Sequence, residues 1–312
     1  TDIFNDPQQL MDNIESVTEF LRKEIAKSGG NPDREALTVV KTTDGKNYYK
    51  ADNDNFYRVY KFIENTVTID KVDNPEDLYN AGIGFGRFQK MLSDFPAETL
   101  NEVIKDFHNT PKRLEDLKNA VLTDVKGRVK TCRDLIDNVL NNADFVSIIT
   151  DEIKNGSIPL RVTHNDTKIN NILFDSVTKE AVCVIDLDTG SALYDFGDAL
   201  RVGGSTAAED ETDLDKVDFS IDAFVNFTKG YLSEVGRFLT DKEIELLPLS
   251  VKLMIFECGI RFLTDYLNGD VYFKIHRENH NLERAKNQFK LFDCVSEKEK
   301  TLTEIVKEIT VR

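Results

Sequence analysis

The sequence is short of basic residues, of paired cysteines and of long apolar stretches, and each shortage removes a class of function. Against 56 Asp and Glu stand only 40 Lys and Arg, a formal net charge of −16 at pH 7. A field of that sign repels phosphate backbones and anionic lipid, so neither nucleic acid nor a membrane is an expected partner. The four cysteines, Cys132, Cys183, Cys258 and Cys294, are far apart and form no Cys-x-x-Cys pair. A zinc ribbon or a disulfide framework is thereby disfavoured, and buried reduced thiols are expected. No apolar run approaches the ~18 residues of a membrane span, nor does a basic segment followed by an apolar stretch open the chain. A cytoplasmic protein is the expectation. Repeats and low-complexity tracts are absent too, and a hydrophobic fraction of 40% beside 31% charged residues excludes wholesale disorder. A chain of 312 residues can bury a large core, in two lobes rather than one.

What is present divides by period. Asp6 and Pro7 form a helix start, followed by Leu10, Ile14, Val17, Leu21 and Ile25 at helical spacing and the stop signal Gly29-Gly30. Residues 37–42, 46–50 and 56–63, with an Asp44-Gly45 turn, predict a small antiparallel β-meander. Helical periodicity then dominates over 75–92, 111–122, 129–153, 221–235, 240–267 and 282–295. It is interrupted by a short island of predicted strands at 160–163, 172–175 and 181–185.

The island carries the chemistry. It reads Arg161-Val162-Thr163-His164-Asn165-Asp166-Thr167-Lys168-Ile169-Asn170-Asn171, and continues to Val184-Ile185-Asp186-Leu187-Asp188. Asp166, Asn171 and Asp186 fall at the ends of short apolar strands, where side chains converge on a cleft. Hard oxygen ligands of this kind suit Mg²⁺, which takes one or two carboxylates and leaves room for phosphate oxygens. The order His-x-Asp, Asn five residues later, then Asp ending the next strand is that of the eukaryotic-like kinases. There the first Asp orients and deprotonates an acceptor hydroxyl while Asn and the second Asp hold metal on nucleotide phosphates. Any one of these residues could merely satisfy turn backbone; the ordered set favours a site.

Several other motifs have plainer readings. Asp195-Phe196-Gly197 spells a kinase metal tripeptide, yet it follows a loop and opens a helix. Asp186 is therefore the predicted metal ligand, and Asp195 an N-cap or a brace for the catalytic loop. Asp188 is either a second ligand or a holder of the adjoining loop. Gly82, Gly84 and Gly86 follow no strand, and close helix packing is expected of them. His276 and His280 lack a third zinc ligand and read as loop or surface histidines. The acidic run 209–218 reads as a solvated segment. Arg261 stands alone in an apolar helix and could pair with Asp265 at i+4, or grip sugar hydroxyls or carbonyls.

From Asp2 to its end the chain resembles the aminoglycoside/choline kinase-like phosphotransferases, and within them the N-acetylhexosamine 1-kinase branch. The stretches that carry this are Arg58-Val59-Tyr60-Lys61-Phe62-Ile63-Glu64, Phe107-His108-Asn109-Thr110-Pro111, 161–173, 185–189, Leu193-Tyr194-Asp195-Phe196-Gly197-Asp198 and 257–267. The last is the least general to kinases and points to the sugar branch. The resemblance implies an α+β, bilobal protein-kinase-like fold. A partial N-lobe would span 1–63, with a hinge near 60–63. A helical C-lobe would span 64–312, with its catalytic loop at 163–174 and its metal-binding strand end at 181–188. It further implies ATP and Mg²⁺, and phosphate transfer to the anomeric hydroxyl of N-acetylglucosamine or N-acetylgalactosamine.

Asp166 and Lys168 would then be catalytic, and Asn171, Asp186 and Asp188 metal-binding. Tyr60, Phe62 and Ile63 would meet adenine, and Arg261 and Tyr272 would join Asp166 around the sugar. His108 and Arg113 are weaker candidates, because the helix start at Thr110-Pro111 already explains that stretch. Two departures stand out. Family members begin with a glycine-rich phosphate-loop hairpin that precedes the point where this sequence starts, and they carry extra residues, including a Met-Pro, where Thr189 meets Gly190. Two competing expectations remain: a kinase of the same fold for an aminoglycoside, choline or homoserine, and a pseudokinase that binds nucleotide or sugar without turnover.

Overall fold

A computed structural model of the chain describes residues 6–51, 55–70, 72, 74–162, 164–186 and 192–310. Contacts divide it into two compact units, each built from three separate segments. The first comprises 1–107, 160–195 and 225–239; the second, 108–159, 196–224 and 240–312.

The first unit begins with α1 (Pro7–Lys27), where the Asp6 side chain accepts the Gln8 N–H and Pro7 fills the first turn. Its buried stripe is Leu10, Met11, Ile14, Val17, Leu21 and Ile25. A one-turn helix, α2 (Pro32–Glu35), follows; Asn31 caps it, a signal the periodicity missed. The expected meander is reduced to β1 (Tyr49–Lys50) paired with β2 (Phe56–Tyr57), plus a single antiparallel bridge between Val39 and Tyr60. Instead of extending the sheet, Tyr48 and Tyr60 pack against Leu10, Met11, Ile14 and Val103.

Two-residue β3 (Thr66–Val67) was not expected. It joins β4 (Ile172–Asp175) and β5 (Ala181–Val184) in an antiparallel sheet of order β3-β4-β5. Residues 160–162 form no strand. Against the sheet lies α3 (Pro75–Met91), with Gly84 close to Ala181 and Ile172. Its other glycines meet α8 (Ile221–Val235): a Cβ at Gly82 would collide with the Phe227 carbonyl oxygen, and one at Gly230 with that of Tyr79. These glycines therefore serve close helix packing, as their sequence context suggested.

The second unit is helical. It holds α4 (Thr110–Thr123), α5 (Arg133–Asn141), α6 (Ile148–Lys154), most of α7 (Ala192–Gly203), α9 (Asp241–Asn268) and α10 (His280–Thr310). The helix expected over 129–153 is broken into α5, α6 and short 3-10 turns. At the first break the Asn142 amide donates to the Asn138 carbonyl, competing with the helical ladder. Conversely, α10 runs past its expected end at 295. α9 and α10 pack along each other around Phe256, Phe289 and Phe292, whereas α4 packs on α9.

The acidic run is ion-paired rather than merely solvated. Glu209 meets the buried Arg201, Asp210 meets Arg277 and His280, and Asp218 meets Lys298. His280, expected in a loop or at the surface, opens α10 and is 1% exposed. All four cysteines are buried free thiols. Among the described residues no helix is long and apolar enough to cross a membrane.

Candidate active site

The segment 164–175 folds around a buried carboxylate that is not itself a candidate ligand. Asp195, in the first turn of α7, is 1% exposed. It accepts the His164 N–H at 2.9 and 3.1 Å, the Asn165 N–H at 2.7 Å and the Gln89 amide at 2.6 Å. Its backbone carbonyl takes the Thr167 hydroxyl at 2.6 Å. Of the two roles expected for Asp195, bracing is the one its contacts match. Burial pushes its pKa up to about 6, partly offset by His164 and these donors.

His164 is a strut. Its Nδ1 accepts the Asp166 N–H at 3.2 Å, which makes Nε2 the protonated nitrogen, and Nε2 donates to the Ile185 carbonyl at 2.6 Å. The Phe85 and Phe88 rings stand edge-on to it at 5.9 and 6.2 Å. One imidazole thus ties the segment carrying Asp166 to the end of β5.

On this frame the candidate side chains face out. Asn165 and Asp186 adopt positive φ, 61° and 65°, a region Asn and Asp tolerate better than other non-glycine residues. Asp166 has its Oδ1 2.9 Å from Lys168 Nζ. Asn171 Nδ2 donates to the Asp166 carbonyl at 2.7 Å and approaches its Oδ2 at 3.3 Å. The Asn171 carbonyl accepts the Ile185 N–H at 2.9 Å, bringing Asn171 alongside the residue before Asp186. Asp166, Lys168, Asn171 and Asp186 are therefore gathered at one end of β4 and β5.

With Nδ2 committed, Asn171 offers Oδ1, a hard oxygen. Asp186 offers a carboxylate whose side chain is 47% exposed. One amide and one carboxylate fit a Mg²⁺ shared with phosphate oxygens. Among the described residues no group of three His, Cys, Asp or Glu side chains is placed to hold a metal by itself. Asp188 and the Thr189-Gly190 junction lie outside the described residues.

Two residues of this cluster were not read from the sequence. Arg58 reaches Asp186 Oδ1 at 3.4 Å while its guanidinium sits 5.6 Å from the Tyr60 ring. Gln89 is 2% exposed on the apolar stripe of α3. A polar residue on that stripe was the available signal. As for the proposed adenine contacts, Tyr60 packs against the α1 cluster, Phe62 is 82% exposed and Ile63 is buried.

Arg261 and Tyr272 belong to the second unit, where they line a cavity of about 480 Å³ together with Arg113, Asp116, Asn119 and Asn268. The Arg261 guanidinium lies 5.9 Å from the Tyr272 ring and 5.5 Å from that of Phe273. Burial, then the neighbouring Arg261 charge, lower the Arg113 pKa. One turn before Arg261, fully buried Glu257 accepts the Thr110 hydroxyl at 2.5 Å and lies 2.7 Å from His108 Nδ1. Burial alone would raise its pKa, but His108, Arg261 and Thr110 outweigh burial and hold it below the usual value. The i+4 pairing of Arg261 with Asp265 is not formed. The Asp265 carboxylate is filled by backbone N–H groups of Val271, Tyr272 and Phe273.

Solved structures share this architecture. An aminopropanol kinase associated with a microcompartment aligns with 97% of this chain and 85% of its own, at 16% identity and a TM-score of 0.56. An aminoglycoside phosphotransferase from Alicyclobacillus acidocaldarius aligns with 96% of this chain and 84% of its own, at 12% identity and a TM-score of 0.56. A choline kinase from Cryptosporidium parvum aligns with 95% and 79%, at 15% identity and a TM-score of 0.52. The fold is thus the kinase-like α+β fold. The sequence profile of the phosphotransferase enzyme family matches residues 24–222, which include the whole Asp166 to Asp186 cluster, and the chain belongs to that family.

Proposed function

We propose that the protein is an ATP-dependent small-molecule kinase whose acceptor is the anomeric hydroxyl of an N-acetylhexosamine. The observation that carries the chemistry is the setting of Asp166. One carboxylate oxygen is held by Lys168 and the other faces Asn171. A carboxylate so fixed orients a hydroxyl and accepts its proton as the phosphoryl group is transferred. Lys168 offsets charge developing on that group. Asn171 Oδ1 and Asp186 would hold Mg²⁺, which when bound neutralises the nucleotide phosphates and aligns them. Asp188 is proposed as a further ligand. The stretch from Tyr60 to Ile63 is proposed to meet adenine through its backbone.

The sugar reading is supported by the cavity of the second unit. Two guanidiniums, Arg113 and Arg261, line it together with the carboxylates of Asp116 and Asp265, the Tyr272 ring and the amides of Asn119 and Asn268. Guanidinium forks and amides of this kind suit the hydroxyl and carbonyl oxygens of a sugar. Incubation with ATP and Mg²⁺ against a panel of acceptors tests the reading. N-acetylglucosamine or N-acetylgalactosamine should give an alkali-stable, acid-labile 1-phosphate by phosphorus NMR. Phosphate on O6, or turnover of choline or an aminoglycoside with none of the sugar, overturns it.

A further inference from the structure

Helix α9 ends where Gly269 and Asp270 take positive φ, 101° and 60°, and turn the chain back. The residues that follow are not held by burial, since Val271 is 78% and Tyr272 49% exposed. Their backbone N–H groups are held by one side chain. Asp265, 4% exposed, accepts the Val271 N–H at 2.9 Å and the Tyr272 N–H at 2.8 Å on Oδ1, and the Phe273 N–H at 3.0 Å on Oδ2. A fourth donor, the fully buried Asn281 amide, reaches Oδ2 at 2.9 Å and Asp270 Oδ1 at 2.9 Å. Four donors converging on one carboxylate are charge-assisted bonds in a site nearly closed to water, where such bonds are strongest.

The geometry fixes more than a turn. Phe273 packs on Phe262 at 4.6 Å and Tyr272 stands edge-on to Phe273 at 4.8 Å. Both rings flank Arg261 and line the cavity. We propose that Asp265 is a positioning residue for acceptor recognition: it orders 271–273 into the wall that sets Tyr272 and Arg261 against a bound acceptor. This inference rests on the reading of that cavity as the acceptor site.

The test combines exchange and kinetics. In Asp265→Asn, hydrogen exchange at the amides of 271–273 should rise at least tenfold, while exchange within α9 and α10 stays slow. The KM for N-acetylglucosamine should rise at least tenfold, with kcat and the KM for ATP changed less than threefold. Asn281→Ala removes one of the four donors and should move exchange and KM the same way by a smaller factor. Unchanged exchange at 271–273 in both variants overturns the proposal. So does an unchanged acceptor KM in both, provided Tyr272→Ala raises it. If neither Tyr272→Ala nor Arg261→Ala raises that KM, the acceptor reading of the cavity is what fails, and Asp265 falls with it as a recognition residue.

Discussion

Asp166, Asp186 and Asp195 lie within thirty positions of one another, and their surroundings separate their roles. Asp166 is partly exposed and engages Lys168 and Asn171. Asp166→Asn should therefore leave the melting temperature and the KM for ATP almost unchanged while kcat falls by about 10²-fold or more, the scale of general-base catalysis. Normal kcat per folded molecule would remove Asp166 as the base. Asp186→Asn should weaken Mg²⁺ dependence, whereas Asp195→Asn should lower the melting temperature; the reverse pattern would exchange their assignments.

Asp195 also predicts a pH effect of definite sign. Its folded pKa, about 6, lies above the ordinary 3.8, so the native state holds this proton more tightly than the unfolded chain does. The stability it contributes is full below about pH 4 and lost as pH rises to about 6. The melting temperature of the parent minus that of Asp195→Asn should shrink across that window and level off above it. A constant difference from pH 4 to 7 contradicts this. At this scale the gathering of Asp166, Lys168, Asn171 and Asp186 was legible, because their order sets them at the ends of consecutive short strands. Gln89 and Arg58 were not, since each is joined to the site only by folding, through partners about a hundred positions away in sequence.

Among the elements, helices with caps and a steady apolar stripe were readable. Asp6-Pro7 marks the start of α1, and the expected start of α9 at 240 is held by a capping box of Thr240 and Glu243 that the structure adds. β1 and β2 fall within expected strands, whereas two-residue β3 was not readable, because no period can be seen in so short a run. β3 exists through its partners, Thr66 opposite Asp175 and Val67 opposite Phe174. The crossing of α3 and α8 supplies a test at this scale. Gly230→Ala would drive a methyl group into the Tyr79 backbone carbonyl, which has no flexible end to yield. A loss on the order of 1–3 kcal/mol is expected for overpacking of this kind, read as a lower urea midpoint. Gly127→Ala also loses stability, but through backbone strain alone: its φ is 65° and nothing lies near its Cβ position.

Over the whole molecule, charge sets the response to salt. The chain carries many ion pairs, most of them exposed, and such pairs contribute about 0–1 kcal/mol each. The surplus of acid, −16, acts everywhere at once as self-repulsion. Screening at 0.2 M NaCl shortens the reach of that repulsion to below about 10 Å, so the melting temperature should rise between 0.02 and 0.2 M NaCl. A fall would mean that the ion pairs dominate.

The interleaving of the two units bears on how the chain folds during synthesis. The first unit is completed only by 225–239, after the second has already contributed 108–159 and 196–224. On a ribosome adding about 5–20 residues per second, the N-terminal 107 residues wait roughly 7–26 s for the last segment of their own unit. During that interval the face of α3 that receives α8 is bare, with Gly82 and Gly86 on it. Nascent chains of this protein should therefore acquire protease resistance late and in one step, after α8 has left the exit tunnel.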